Sequence, residues 1–376
     1  MRALLLVALA ACSYSPRSDM ALDDPDGPIA DAPMGDAPPL GDPVRALEIV
    51  DNQVTGGPHV DFPVLVKTTQ GFLRDRGNGG EVTNADGFDI YFSADQAGTL
   101  RLAHEVERYD AQIGELIAWV KVPSLTAATV LYLHYGSDLA ESQEDRAAVW
   151  SAGYVVVLHL DDASDATGNA TTIDSQTIEE LDTPIDRGQR FDGTTDRIIV
   201  GSPTIHNIFA TGGTAQGWFF ATSYGESGFG RIWDKGHTNG WSMAINNGNA
   251  TNTLAFVHGD SISFGEWNGP SNAVSLGAWH QASVVYDKQS ADNLPRMYID
   301  GAPLQNIDVL VPAGGTLDDD TGNQLMAGNR GANDRTFEGI LDELRMSNVA
   351  RSSQWLATEF ANQARPEDFY TISAPL

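Results

Sequence analysis

The sequence is poor in cysteine, in positive charge and in helical patterning. Cys12 is the one cysteine in 376 residues, so no intramolecular disulfide can form. Lys and Arg number 22 against 51 Asp and Glu, giving a formal net charge of −29. That balance repels phosphate backbones and argues against a nucleic-acid partner; it suits a soluble protein and divalent cations. Recognisable catalytic motifs are also missing. The eight histidines are scattered, with no H-E-x-x-H pair for zinc. "GESGFG" (225–230) is not a G-x-S-x-G nucleophile elbow, and no glycine loop has phosphate-binding spacing. No D-x-D-x-D-G calcium loop occurs.

The chain opens "MRALLLVALAAC". Arg2 supplies a positive start, and the apolar run Ala3 to Ala11 is far below the roughly 20 residues that span a bilayer. Leu9-Ala10-Ala11-Cys12 resembles the bacterial lipobox, which implies cleavage before Cys12, acylation there and a lipid-anchored envelope protein. Ser13 after the cysteine favours the outer membrane or cell surface. Residues 13–45 are rich in Asp, Pro and Ala and nearly free of aromatics. Such a segment cannot bury enough surface to offset its ordering entropy, so it reads as a disordered tether.

From about Ala46 the patterning is that of strands: short runs of Val, Ile, Tyr, Phe and Trp between Gly, Asn, Asp and Pro clusters. In "ELIAWVKVPSL" (115–125), Leu116, Ala118, Val120 and Val122 share one face, opposite Ile117, Trp119 and Lys121. The predicted fold is all-β: two antiparallel β-sandwich domains over 46–147 and 148–370. A short polar helix is expected near 137–150. A second, capped by Ser352 or Ser353, is expected over "SSQWLATEFANQ".

Two family resemblances follow from particular stretches. Phe62-Pro63-Val64-Leu65-Val66, Asp86-Gly87-Phe88-Asp89-Ile90-Tyr91-Phe92, Glu105-Val106-Glu107, Trp119-Val120-Lys121-Val122-Pro123 and Tyr132-Leu133-His134-Tyr135-Gly136 resemble a bacterial domain-of-unknown-function family over about 46–140. Some of its extracytoplasmic members are described as MotA/TolQ/ExbB-type accessory proteins. Leu158-His159-Leu160-Asp161, Phe191-Asp192-Gly193, Trp279-His280, Tyr298-Ile299-Asp300-Gly301 and Gly339-Ile340-Leu341-Asp342-Glu343-Leu344-Arg345 resemble a concanavalin A-like, laminin-G-type jelly roll over 150–362.

The jelly-roll resemblance implies either glycan binding or glycan hydrolysis. Retaining hydrolases need two carboxylates about 5 Å apart. The laminarinase-type E-x-D-x-x-E motif is missing, and strict alternation puts Glu343 on the face opposite Asp342. The expected function is therefore noncatalytic binding of a glycan or surface protein. The alternatives are a glycan-active enzyme with an unrecognised site and a purely structural envelope protein. Trp233 and Trp267, beside polar loops, are the candidate sugar platforms; the competing reading is that they are core. Strict alternation over 339–350 also groups Asp342 with Ile340, Leu344 and Met346 on the inward face. Resemblance implies a structural calcium there, with Asp161 and Asp192 as candidate co-ligands. Otherwise Asp342 accepts bonds from backbone amides or an arginine. His159 and His280 read as hydrogen-bonded structural residues.

Overall fold

Strand propensity and alternation produce four antiparallel sheets. The computed structural model describes residues 42–376 apart from 163, 170–172, 176–179, 203, 237–238, 247, 249–251, 291, 317 and 319. The lipobox, Cys12 and residues 13–41 lie outside the described residues. The end of the expected tether does not: Val44–Ile49 is already a strand.

Sheet I runs in the order Tyr370–Ile372, Val44–Ile49, Val130–His134, Tyr91–Ser93, Arg101–Leu102. Sheet II has three strands, His59–Thr69, Glu115–Leu125 and His104–Asp110. Between them lies a core that includes Leu47, Phe62, Val64, Phe92, Leu116, Ala118, Val120 and Leu133. Leu65, Ile117 and Trp119, on the opposite face of sheet II, belong to a different cluster with Trp150, Tyr154, Val157 and Trp218. Sheet II is thus buried on both faces, and its second face packs on the second sandwich.

Sheet III centres on Glu338–Ser347, which pairs with Arg187–Asp192, Gly213–Ala221 and Tyr154–Leu158. It continues through Trp279–Tyr286 and Arg296–Ile299. Sheet IV contains Asp308–Val311, Gly265–Asn268, Leu254–His258, Trp241–Ile245, Gly230–Asp234, Leu325–Ala327, Ile198–Gly201 and Asp174–Ser175. Their shared core includes Phe191, Phe219, Trp233, Trp241, Phe256, Trp267, Leu341, Leu344 and Met346.

Two features depart from the expected layout. The first sandwich is closed by the end of the chain, since Tyr370–Ile372 pairs with Val44–Ile49 and Trp355, Leu356 and Phe369 enter its core. A boundary near 147 therefore orders the strands along the sequence but does not separate two independent bodies. The second departure is a β-bulge. Gln216 faces Arg345 while Trp218 faces Asp342, so the strand Glu338–Ser347 carries one extra residue, and Glu343 has φ 48°. Alternation breaks there. Leu341, Leu344 and Met346 enter the jelly-roll core, while Asp342, Glu343 and Arg345 bond to groups on the opposite side of sheet III.

The C-terminal helix Ser353–Ala364, capped by Ser352 as expected, packs between the sandwiches. Its inward polar residues are matched one by one. Trp218 Nε1 and Gln281 Nε2 donate to Gln363 Oε1 at 2.7 and 2.9 Å. Asn362 satisfies the open edge of sheet II: its Oδ1 accepts from Leu65 N at 2.7 Å and its Nδ2 donates to Leu65 O at 3.0 Å. Replacing Asn362 with Ala leaves two buried backbone groups without partners. We expect it to lower unfolding stability by about 2–4 kcal/mol, read from denaturant midpoints at unchanged slope. A loss under about 0.5 kcal/mol, the range of ordinary surface substitutions, would show that water replaces the amide.

Candidate functional site

The bulge delivers Glu343 and Arg345 into the seam between sheets II and III. Arg345 rests against two adjoining indoles, with its guanidinium carbon 4.2 Å from the Trp119 ring centre and 4.7 Å from that of Trp150. It bonds Glu343 Oε2 and reaches Glu359 Oε1 of the C-terminal helix at 3.3 Å. Gln216 Nε2 donates to the other oxygen of Glu359 at 2.5 Å. From the first sandwich come Glu105 and Glu107. Glu105 accepts from Trp150 Nε1 at 2.6 Å and pairs with Arg146 at 2.5 Å; Glu107 accepts from Trp119 Nε1 at 2.6 Å. His159, just past Tyr154–Leu158, sits among them. Its Nδ1 is 2.8 Å from Glu343 Oε1 and 3.5 Å from Glu107 Oε2, and its Nε2 is 3.3 Å from Glu105 Oε2.

Glu105, Glu107, His159, Glu343, Arg345 and Glu359 have side chains no more than 3% exposed. Burial alone would push His159 down, but Glu343, Glu105 and Glu107 hold it well above its usual value, as the imidazolium. Burial raises Glu107 and Asp342 well above the carboxylate range, and the neighbouring Glu343 adds to both. Burial would raise Glu343 too, yet His159 and Arg345 outweigh it and keep it ionised. Three cations, Arg146, His159 and Arg345, then face three carboxylates, Glu105, Glu343 and Glu359. No substrate can approach these acids without parting the sheets, so the cluster is not placed for glycoside hydrolysis.

The sequence-derived candidates fall elsewhere. Trp233 and Trp267 are 0% and 1% exposed. Trp233 Nε1 donates to Gln216 O at 2.8 Å, and Trp267 packs against Phe256 and Tyr286. Both are core residues, which corrects their reading as sugar platforms: a β-sandwich needs large apolar side chains to fill the space between its sheets. Asp342 is inward only towards the seam. It accepts from Thr183 Oγ1 at 2.6 Å and from Glu343 N at 2.8 Å, so the hydrogen-bonded reading describes it. Asp192 is taken up by its own loop, accepting from the backbone of Thr194, Thr195 and Asp196. Asp161 accepts from Asp162 N. The three do not form a donor group. Among the described residues the one such group is Glu107, His159 and Glu343, with one atom of each within 4.8 Å of the others. His280 is structural, bonded to Asp300 and Ser275. The cluster itself was missed because its members are far apart in sequence. Its one local signal is Glu105-Val106-Glu107, two acids two residues apart on one strand.

An open concavity lies elsewhere, where the end of His59–Thr69, the returning C-terminal strand and the loop at Pro184 meet. It encloses about 800 Å³. Thr68, Thr69, Gln70, Thr371 and Ser373 supply hydroxyl and amide groups, Arg45 and Lys67 supply positive charge, and Glu367 is its one carboxylate. Arg45 stacks on Phe72 at 3.8 Å, and Lys67 Nζ donates to the carbonyls of Pro184 and Ile185.

An all-β protein with a concanavalin A-like domain is the class this architecture defines. Residues 192–357 match the family model of the concanavalin A-like lectin/glucanases superfamily (Laminin_G_3), and residues 86–176 match that of a domain of unknown function, DUF2341. The latter starts later than the resemblance over 46–140 and runs past Tyr154–Leu158 into the second sandwich. No curated protein matches the chain. Among solved structures, the binding domain of Paraclostridial Mosquitocidal Protein 1 is 13% identical, covering 55% of this chain and 52% of its own, at TM-score 0.45. Domain 4 of AbnA, a GH43 extracellular arabinanase from Geobacillus stearothermophilus solved with arabinotriose, is 19% identical over 56% and 98%, at TM-score 0.40. The binding domain of botulinum neurotoxin DC, solved with rat synaptotagmin II, is 13% identical over 56% and 52%, at TM-score 0.42. The chain thus spans about half the length of the two toxin domains. At such identities and scores these structures assign this chain no ligand.

The seam makes a sharp stability contrast. Arg345→Ala takes the cation from Glu359 and leaves Glu343 with His159 alone in the interior, and should cost about 3–5 kcal/mol. Arg365→Ala removes the exposed pair with Asp368 and should cost under about 1 kcal/mol. Equal losses in urea unfolding would contradict the assignment of the seam as the junction's main polar support.

Proposed function

We propose that this chain is a noncatalytic binding protein of the bacterial cell envelope, anchored by lipid at Cys12, and that its ligand is a glycan or a polar segment of a surface protein held in the groove beside Gln70 and Thr371. The observation that supports this reading most is the groove itself. Its volume suits a small ligand, and its hydroxyl, amide and cationic lining suits a hydroxyl-rich one. Hydrolysis would need a second carboxylate about 5 Å from the first, and Glu367 is alone among the lining residues. The clustered acids are sealed in the seam, where they hold protein together.

A glycan array with the full chain carrying Cys12→Ser tests the binding reading. A bound glycan should lose about 0.5–1.5 kcal/mol of affinity with Gln70→Ala and again with Thr371→Val, a few-fold to tenfold each. Unchanged affinity in both variants would remove the groove from the proposal. Reducing-end release from any bound polysaccharide, lost in Glu367→Gln, would replace binding by catalysis.

The anchor has its own test. Cys12→Ser should move the protein from the membrane fraction to the soluble fraction and abolish acyl labelling. Continued membrane fractionation of the variant would refute lipid anchoring at Cys12.

A further inference from the structure

The seam brings three metal-ligating side chains, Glu107, His159 and Glu343, close together. Trp119 holds Glu107 Oε2, Arg345 holds Glu343 Oε2, and Glu105 faces His159 Nε2. His159 Nδ1 lies 2.8 Å from Glu343 Oε1 and 3.5 Å from Glu107 Oε2, and Glu107 Oε1 is buried with no hydrogen-bond partner. One donor atom from each residue lies within 4.8 Å of the other two. Tetrahedral zinc ligands, about 2.0–2.1 Å from the metal, sit about 3.3 Å from one another, so small side-chain shifts suffice. The outer bonds are of the kind that orient metal ligands: a carboxylate behind the imidazole fixes which ring nitrogen faces the ion.

We propose that Glu107, His159 and Glu343 form a zinc site that cross-links the two sandwiches. One imidazole and two carboxylates suit a divalent ion of zinc's intermediate softness better than calcium, which seeks six to eight oxygens. Ligand atoms must be free of protons when the ion binds, so entry of zinc releases protons. The ion would tie His104–Asp110 of the first sandwich to Glu338–Ser347 and the end of Tyr154–Leu158 in the second. Its role is structural, and it is independent of the groove.

Because the site is enclosed, zinc is supplied while the full chain refolds from denaturant, and free metal is then removed by desalting. Glu107→Gln is the informative variant. Glutamine matches glutamate in size and keeps an oxygen to accept from Trp119 Nε1, so the metal-free fold is retained while the carboxylate ligand is lost. The wild type should keep about one zinc per chain and melt several degrees higher than when refolded without zinc. Glu107→Gln should keep none and melt alike with and without zinc. X-ray absorption at the zinc edge should show nitrogen and oxygen neighbours. The proposal fails if the wild type keeps no zinc, if Glu107→Gln keeps as much as the wild type, or if a sulfur neighbour places the ion on Cys12.

Discussion

The guanidinium of Arg345 against the indoles of Trp119 and Trp150 is the contact on which the arrangement of the two sandwiches rests. Arg345 lies on a strand of the second sandwich, Trp119 on a strand of the first, and its partner Glu359 on the C-terminal helix. Taking an arginine out of water costs several kcal/mol, and a pair alone rarely recovers it. Here two carboxylates and two ring faces share the charge, and Trp119 and Trp150 give their own N–H groups to Glu107 and Glu105. Each member is buried because every other member is present. Such a network has little tolerance for sliding, since a displacement of one sheet would strand several polar atoms at once.

That constraint explains the course of the chain end. The helix Ser353–Ala364 brings Glu359 to Arg345, Asn362 to the edge of sheet II and Gln363 to Trp218 and Gln281. Having fixed both sandwiches, the chain passes to Tyr370–Ile372 and completes sheet I. The helix is buried through polar residues as well as apolar ones, so its sequence lacks the broad apolar stripe of an ordinary surface helix. Its stability comes from matched hydrogen bonds to the two bodies it joins and from Trp355 and Leu356 in the core of the first sandwich.

Most of the fold was legible because alternation reports burial directly. The two-sided pattern of Glu115–Leu125 holds residue for residue: Leu116, Ala118 and Val120 face one core, Ile117 and Trp119 the other cluster. The same rule misplaced Asp342 by assuming an unbroken strand. A bulge inserts one residue, and neither Asp342 nor Glu343 advertises it, because φ > 0 at a glutamate has no sequence signature as glycine would. Trp233 and Trp267 were misjudged for another reason. Proximity to polar loops in sequence says nothing about which face of the strand a ring occupies, and both rings fill the jelly-roll core. The seam was illegible since Glu105, His159, Arg345 and Glu359 come from four distant segments, and only tertiary structure brings their charges into balance.

The seam also bears on how this protein can work. A groove built from the end of His59–Thr69, the C-terminal strand and the Pro184 loop keeps its shape only if those three pieces stay in register. Lys67 spans two of them, rooted in sheet II and bonded to the carbonyls of Pro184 and Ile185. Arg108, from the same sheet, pairs with Asp186 at 2.7 Å beside that loop. Tyr370 closes the third side, donating to Lys67 O at 2.8 Å. The groove is therefore the outer margin of the surface whose interior holds Arg345. A ligand entering it meets a preformed wall, so little of its binding energy goes into ordering the protein. The packing that encloses the buried acids also fixes the margin on which the proposed recognition would rest.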